Sequence, residues 1–413
     1  MKNKGIIKAI SLILAALMLL SAFVIFTGCG KKGSNDSTKH PESNNVTSDN
    51  NNTEQQYGSK GKSSAKDISK KFITSVITED YDTAMTCLKN ISDYPYFKAK
   101  DLKDAIANSE ANAILSLTDT NVTVAPSKKN NYVILVSGKK DSETVSFSMQ
   151  ADKVDDKWFV DIDQFTTDAN FVVPGGETKF FVNGEEISKD NIDGHKTDAY
   201  NLSPIYHVEN VPLGKIPVTV SAATFGEREF VFDSVDYNKN HYLSNHELIV
   251  TPNDDAPYKA VQNIYNSTAA TGAKYQKIEG IGSDELNEIY PYISTSISED
   301  LRESIARVIA SEWKNEYAVA TKIITTNVKL FDFEPCVDKE YASYYLTDKI
   351  ILLNYNYKAS WVTSYSPSTN YSRNMENSAR IVLEQTDSGY VIYQLGKDDS
   401  YFGWLNEFTH KTY

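Results

Sequence analysis

The spacing of apolar residues in this chain changes from that of a helix to that of a strand, and does so twice, which restricts the available folds more than any single motif. Ile68, Phe72 and Val76 stand at i, i+4 and i+8, with Asp67 near the start as a cap, and predict an amphipathic helix. A second short helix is predicted with Ala84, Cys87 and Leu88 on one side, and a third over Leu102 to Ala107. The period then becomes two. Val145, Phe147, Met149 and Ala151 alternate with Thr144, Ser146, Ser148 and Gln150, and Trp158, Val160 and Ile162 alternate after an Asp155-Asp156 turn, as half-buried antiparallel strands do.

The same order returns at larger size beyond Ala256. Helices are predicted near Tyr258 to Tyr265, Glu285 to Tyr290 and Glu299 to Trp313, the last with an apolar stripe of Leu301, Ile305, Val308 and Ile309. A long strand follows, with Ile351, Leu353, Tyr355, Tyr357, Ala359 and Trp361 on one face and Asn354, Asn356 and Lys358 on the other. Ala379, Ile381 and Leu383, then Val391, Tyr393 and Leu395, continue the sheet.

Between these units lies a stretch punctuated by turn residues. After Pro174-Gly175-Gly176, Phe180 to Val182 leads into Asn183-Gly184, the strongest short hairpin signal. Tyr206 and Val208, then Asn210-Val211-Pro212-Leu213-Gly214, precede the alternating Ile216, Val218 and Val220. Phe230 and Phe232 are predicted to pair with Leu248 to Val250 through a turn near Asn238-Lys239-Asn240. The stretch reads as a small all-β sandwich. The expected fold is therefore α+β and multidomain: two cone-like units of helices plus a curved antiparallel sheet, 65–170 and 254–413, flanking a β-sandwich over 171–253. A length of 413 residues suits two or three domains.

The N-terminal end carries an address. Lys2, Lys4 and Lys8 precede a run from Ala9 to Phe26 without a charged residue, the pattern of a signal sequence or a membrane span. Phe26-Thr27-Gly28-Cys29 resembles the bacterial lipobox, with Phe where Leu is usual. Residues 1–28 then read as a signal peptide and Cys29 as the acylated, palmitate-bearing first residue of the mature protein; an uncleaved N-terminal anchor is the alternative. Either way the positive end stays inside and the rest lies outside. Residues 29–64 are Ser, Asn, Thr, Lys, Gly and Asp with almost no large apolar side chain, and are expected to form a disordered tether spanning roughly 35 Å root-mean-square.

Charge and motifs narrow the chemistry. The net charge is -13 and no stripe of Lys and Arg interrupts it, so nucleic acid is excluded as a partner and the body has no electrostatic attraction to anionic lipid. Cys29, Cys87 and Cys336 have no C-x-x-C or Cys/His spacing for zinc. The last two read as buried thiols, with a bridge between them as the alternative. The chain has no G-x-S-x-G, Walker loop, G-x-G-x-x-G or H-E-x-x-H, so no cofactor is implied and the expectation is not an enzyme. Asp236, Asn238, Asn240, Ser244 and Glu247 match oxygen-ligand positions of an EF-hand loop, although His241 stands where that loop needs Gly. The flanks read as strands, so an Asn-rich hairpin turn is the competing reading. His40, His195, His207 and His410 are scattered, and His241 and His246 near Glu247 lack metal spacing.

The whole order is similar to the extracellular part of the teicoplanin-resistance-associated membrane protein family: leader, anchor, polar tether, helix-then-sheet unit, a β unit with Phe181-Val182-Asn183-Gly184 and Asn210-Val211-Pro212-Leu213-Gly214, and a larger helix-then-sheet unit. The resemblance implies a nuclear-transport-factor-2-like C-terminal domain and a role at the cell envelope. That family starts with a cytoplasmic zinc ribbon, and a lipoprotein leader stands in its place here, so no ribbon-dependent role carries over. The expectation is an extracytoplasmic lipoprotein of the cell membrane, held by its lipid. It would act as a binding or scaffold component in cell-wall or glycopeptide response, with a cell-wall polymer or envelope protein as partner. The alternative is a ligand-binding or enzymatic cone of undetermined chemistry. Tyr355, Tyr357, Trp361 and Tyr393, on neighbouring strands, are the candidates for stacking a sugar, and equally the candidates for plain core.

Overall fold

The first predicted helix forms, but it starts earlier than its apolar pattern. In the computed structural model, which describes residues 53–128, 130–196, 200–240, 245–274, 283–318, 328–335, 343–366 and 369–395, α1 runs over Thr53–Ile77. It therefore takes in residues expected to belong to the tether, and Asp67 is an exposed interior residue rather than a cap. Gln, Lys, Ala and Glu are good helix formers, and the packed turns after Ala65 supply a nucleus from which the helix extends toward its N-terminus. Its buried face is Ala65, Ser69, Phe72, Ile73 and Val76. Each large apolar side chain there contributes about 1.5–3 kcal/mol by leaving water.

Two short helices follow, α2 (Tyr81–Met85) and α3 (Leu102–Ala107). Asp80 caps α2 by accepting from the Thr83 N–H at 3.1 Å. The helices cover one face of an antiparallel meander of β1 (Thr118–Lys128), β2 (Asn131–Lys140), β3 (Glu143–Val154) and β4 (Lys157–Val160), in that order. Positive φ at both Asp155 and Asp156 makes the β3–β4 turn the tight type expected of a hairpin. Val122, Val124, Ile134, Val136, Met149 and Val160 point inward against the helices, and Phe165 closes this core by stacking on Phe72 with ring centroids 5.9 Å apart.

Next come β5 (Thr166–Val172), β6 (Lys179–Val182), β7 (Glu185–Glu186), β8 (Ile192–His195), β9 (Pro204–Pro212), β10 (Lys215–Ala222) and β11 (Gly226–Asp233). They form two four-stranded sheets, β11-β10-β6-β7 and β12-β5-β9-β8, where β12 is His246–Glu247. Phe171 joins their inner faces, 5.2 Å from the Phe180 ring and 4.8 Å from that of Phe232. The hairpin expected between Phe232 and Leu248 is absent. Instead Asp233 accepts from the N–H groups of Val235 and Asp236, at 3.1 and 3.0 Å, and caps a helix, α4 (Ser234–Asn240). The chain returns as β12, parallel to β5 rather than antiparallel to β11.

The last segment holds α5 (Ala256–Lys274), α6 (Ser283–Ile289) and α7 (Glu299–Ala318). Its sheet consists of β13 (Val328–Pro335), β14 (Tyr344–Tyr345), β15 (Ile350–Ser366), β16 (Thr369–Thr386) and β17 (Gly389–Leu395), with order β13-β15-β16-β17 and β14 paired to β15. The buried stripe of α7 is Ile305, Ala306, Ile309 and Ala310. Leu301, expected in that stripe, is 39% exposed. Asn354, expected on a wet face, is buried. One continuous apolar core runs from Ala169 to Leu395, through both middle sheets and the last one.

The segments are joined at turns. The Asn183 side-chain amide donates to the Tyr96 carbonyl at 2.8 Å and to Asp101 Oδ2 at 2.5 Å, while the Asn183 main-chain carbonyl accepts from Lys98 Nζ at 2.6 Å. At the other side, the Gly175 N–H donates to the Leu346 carbonyl at 2.9 Å and the Asp348 N–H returns to the Gly175 carbonyl at 3.1 Å. Gly176 has φ of +72°, and a Cβ there would lie 1.9 Å from Asp348 Oδ1. Gly226 has nearly the same φ, +71°, with nothing near such a Cβ. Gly226→Ala is thus expected to cost only the left-handed backbone penalty, about 1 kcal/mol, and Gly176→Ala clearly more. Thermal unfolding midpoints of the two variants test this, and equal losses would show that the Gly176–Asp348 contact does not hold the segments together.

Candidate functional site

Of the four aromatic candidates, Tyr355 is fully buried on β15, facing the helices. Its hydroxyl shares a hydrogen bond with that of Tyr265 on α5, and burial pushes its phenol well above the usual range. Tyr357 and Trp361 continue the same strand face, opposite Asn377 and Arg373 of β16; their side chains lie outside the described residues. Tyr393 is half-buried on β17 and packs beside Leu346, Ile350, Leu352 and Val382, a cluster separate from the one that holds Tyr355. Burial, and behind it the Glu384 carboxylate, raise its phenol. A register shift between Val382 and Leu383 lies where β17 passes Tyr393. The structure therefore places Tyr355 and Tyr393 in one sheet but does not bring them together.

The oxygen-ligand candidates are likewise separated. Asp236, Asn238 and Asn240 all fall within α4, a stretch of helix rather than a ligand loop. Glu247 stands on β12 and pairs with Lys196 at 2.9 Å. No group of three or more His, Cys, Asp or Glu side chains able to hold a metal ion occurs among the described residues. Cys29 and Cys336 lie outside those residues. Cys87 is a buried free thiol that donates weakly to the Thr83 carbonyl at 3.5 Å, and burial raises its pKa.

Other polar groups do converge, and spacing along the sequence gives no sign of it. Tyr258 donates to Ser343 Oγ at 2.8 Å, Ser343 donates to the Asn354 carbonyl at 2.9 Å, and Arg380 Nε donates to Asn354 Oδ1 at 2.8 Å, which explains why Asn354 is tolerated inside. On the first sheet Lys89 meets Asp152 at 2.7 Å and Tyr94 donates to Asp163 at 2.5 Å. Between them the Asp161 carboxyl is raised by burial and by its neighbours Asp163 and Asp152. These sets tie distant segments together; none pairs a nucleophile with a base.

No family model matches the chain, and no curated protein matches it. Among solved structures it is similar to the intermembrane space region of the chloroplast protein ARC6, at 15% identity over 35% of this chain and 95% of that one, with a TM-score of 0.19. It is also similar to an Ntf2-like protein involved in plasmid conjugation, at 10% identity over 73% of this chain and 91% of the other, TM-score 0.17. A third is a cystatin-like protein from Ruminococcus gnavus, at 10% identity over 84% and 92%, TM-score 0.20. At such TM-scores none of the three determines the fold or the chemistry of this chain.

His246, on β12, is packed against aromatic rings. Its ring stands edge-on to Phe171 and Phe232, with centroids 5.9 and 5.0 Å away, and burial lowers its pKa from 6.5. The unfolded chain takes up this proton first as pH falls. Its contribution to stability is therefore intact above about pH 6.5 and is lost as pH drops through the folded value. His246→Leu is expected to flatten the fall in thermal midpoint between about pH 7 and pH 5. Identical acid profiles for the two proteins would show that His246 does not set it.

Proposed function

We propose that this chain is a lipid-anchored, extracytoplasmic component of the cell envelope that acts as a binding or scaffold protein rather than as a catalyst. The observation that carries the reading is the leader: Lys2, Lys4 and Lys8, the charge-free run from Ala9 to Phe26, and Cys29 behind Phe26-Thr27-Gly28. Among the described residues no helix is long and apolar enough to cross a membrane, so in this reading attachment falls to the leader and its cysteine. The positive end faces inward and the acidic body outward.

The scaffold part of the proposal is supported by how the segments are joined. Backbone hydrogen bonds at Gly175 and side-chain bonds at Asn183 tie the middle sheets to their neighbours, as suits a body that presents surfaces at fixed spacing. The C-terminal helix-then-sheet order, α5–α7 followed by β13–β17, supports a nuclear-transport-factor-2-like cone, and with it kinship to the teicoplanin-resistance-associated family. An enzymatic cone would need an acid or base facing its interior. At Tyr355 the interior is instead closed by a pair of phenols.

Cells grown with alkyne-tagged palmitate test the anchor. The full chain is expected to carry the label and to sediment with membranes, and Cys29→Ser to lose the label. A mass spectrum of the wild-type protein with residues 1–28 intact would overturn the lipoprotein reading.

A further inference from the structure

The meander β1–β3 has one face packed on the helices and one face toward solvent, and the solvent face is unusual for this acidic protein. Its middle row, set by the strand register, is Thr123, Leu135 and Ser148. The rows on either side add Asn121, Ser137 and Ser146, and Ala125, Val133 and Gln150. None of these residues is charged, whereas 23% of the chain is, and a soluble surface carries about 25–35% charged residues. Charges resume at once on the bounding rows, with Lys139 opposite Thr144 at one end and Asp152 opposite Asn131 at the other. The neutral patch therefore has edges.

The patch is also preformed. Val122, Val124, Ile134, Val136 and Met149, on the opposite face of the same strands, are buried and fix the backbone that carries it. Leu135 stands at its centre with 48% of its surface exposed, surrounded by hydroxyls and amides. Thr123 Oγ1 donates to the Leu135 carbonyl in a long bond of 3.5 Å, which leaves its oxygen lone pairs to accept from a ligand; Gln150 accepts from the Asn131 amide at 3.3 Å, and Thr123 and Gln150 are both exposed.

We propose that this face binds an uncharged glycan. Strand spacing gives it a footprint of about 14 Å by 17 Å, roughly 240 Å². That is well below the 800 Å² or so that each partner contributes to a stable protein complex, and the nine residues include no aromatic or Arg anchor of the kind that dominates such interfaces; half-buried Phe159 stands on the bounding row, opposite Asp152. With no Lys or Arg it offers nothing to phosphate or to an anionic polymer, and with no carboxylate nothing to a basic one. A neutral ligand rich in hydroxyl and amide groups, with apolar C–H faces, matches it: hydroxyls and amides bond along the rows while the sugar's C–H face rests on Leu135, Val133 and Ala125. The inference names a ligand class for the envelope reading and rests on it only for the source of the glycan.

The test uses the full chain in a sugar-free non-ionic detergent and two neutral probes, the tetramers of N-acetylglucosamine and of glucose, titrated by calorimetry. At least one is expected to bind, with an affinity unchanged between about 50 and 500 mM salt, as a neutral ligand requires. Ser148→Glu is expected to weaken binding about tenfold by placing a carboxylate that the ligand must desolvate, and the milder Leu135→Ser to weaken it as well. Val231→Ser, at a residue 67% exposed on another sheet, leaves it unchanged. Binding of neither tetramer, binding that falls steeply with salt, or binding that survives both variants overturns the proposal. So does concentration-dependent self-association lost in Ser148→Glu, which would make a second copy the occupant. The palmitate label reads the anchor independently, so failure here leaves Cys29 standing.

Discussion

Neighbouring segments of this protein hold one another through main-chain groups at turns, and the geometry of the whole body follows from that. The Gly175 N–H and carbonyl are both engaged by residues of the β14–β15 turn, and Thr178 Oγ donates to the same carbonyl at 2.9 Å. On the opposite side Asn183 is 2% exposed although it sits at a hairpin tip, because Tyr96, Lys98 and Asp101 surround it. Removing one partner from such a buried set leaves another polar group unsatisfied, at a cost of about 1–3 kcal/mol. Joints of this kind are specific in a way that apolar contact alone is not, since a shift of one residue breaks every bond at once.

The interior of the last segment shows the same economy of polar groups. The Tyr265–Tyr355 pair and the Tyr258–Ser343–Asn354–Arg380 chain place hydroxyls, an amide and a guanidinium where an all-apolar core would be simpler to build. Each is met by a partner from another element, so α5, β14, β15 and β16 are tied in one register.

Much of the architecture was legible in the sequence. The two helix-to-strand changes of period, the Leu102–Ala107 helix and the Asn183-Gly184 turn all appear in place, because each rests on local rules of spacing or positive φ. What sequence reading missed depends on partners far away. Asp233 could be seen as a helix cap only if Ser234 to Asn240 was already taken as a helix, and Asn354 looked like a surface residue until Arg380 and Ser343 were placed beside it. The candidate residues show the same limit: alternation puts Tyr355 and Tyr393 on neighbouring strands, but β16 lies between β15 and β17, and a register shift in β17 places the two residues in separate clusters. The neutral face of β1–β3 is visible in the sequence only once the register is known, since its rows draw on three strands.

The joints also bear on how such a chain reaches its final form. Asn183 waits on residues about 85 positions before it, Gly175 on residues about 170 positions after it, and Phe225 on Tyr345, about 120 positions after it. Contacts of such long range are slow to form, because the intervening loop must close before they stabilise anything. The first unit has its own core, from Ala65 to Phe165. Every strand of the two middle sheets lies between Thr166 and Glu247, so those sheets can pair by themselves, while their joint to the last segment at Gly175 waits for the turn at Leu346 to Asp348.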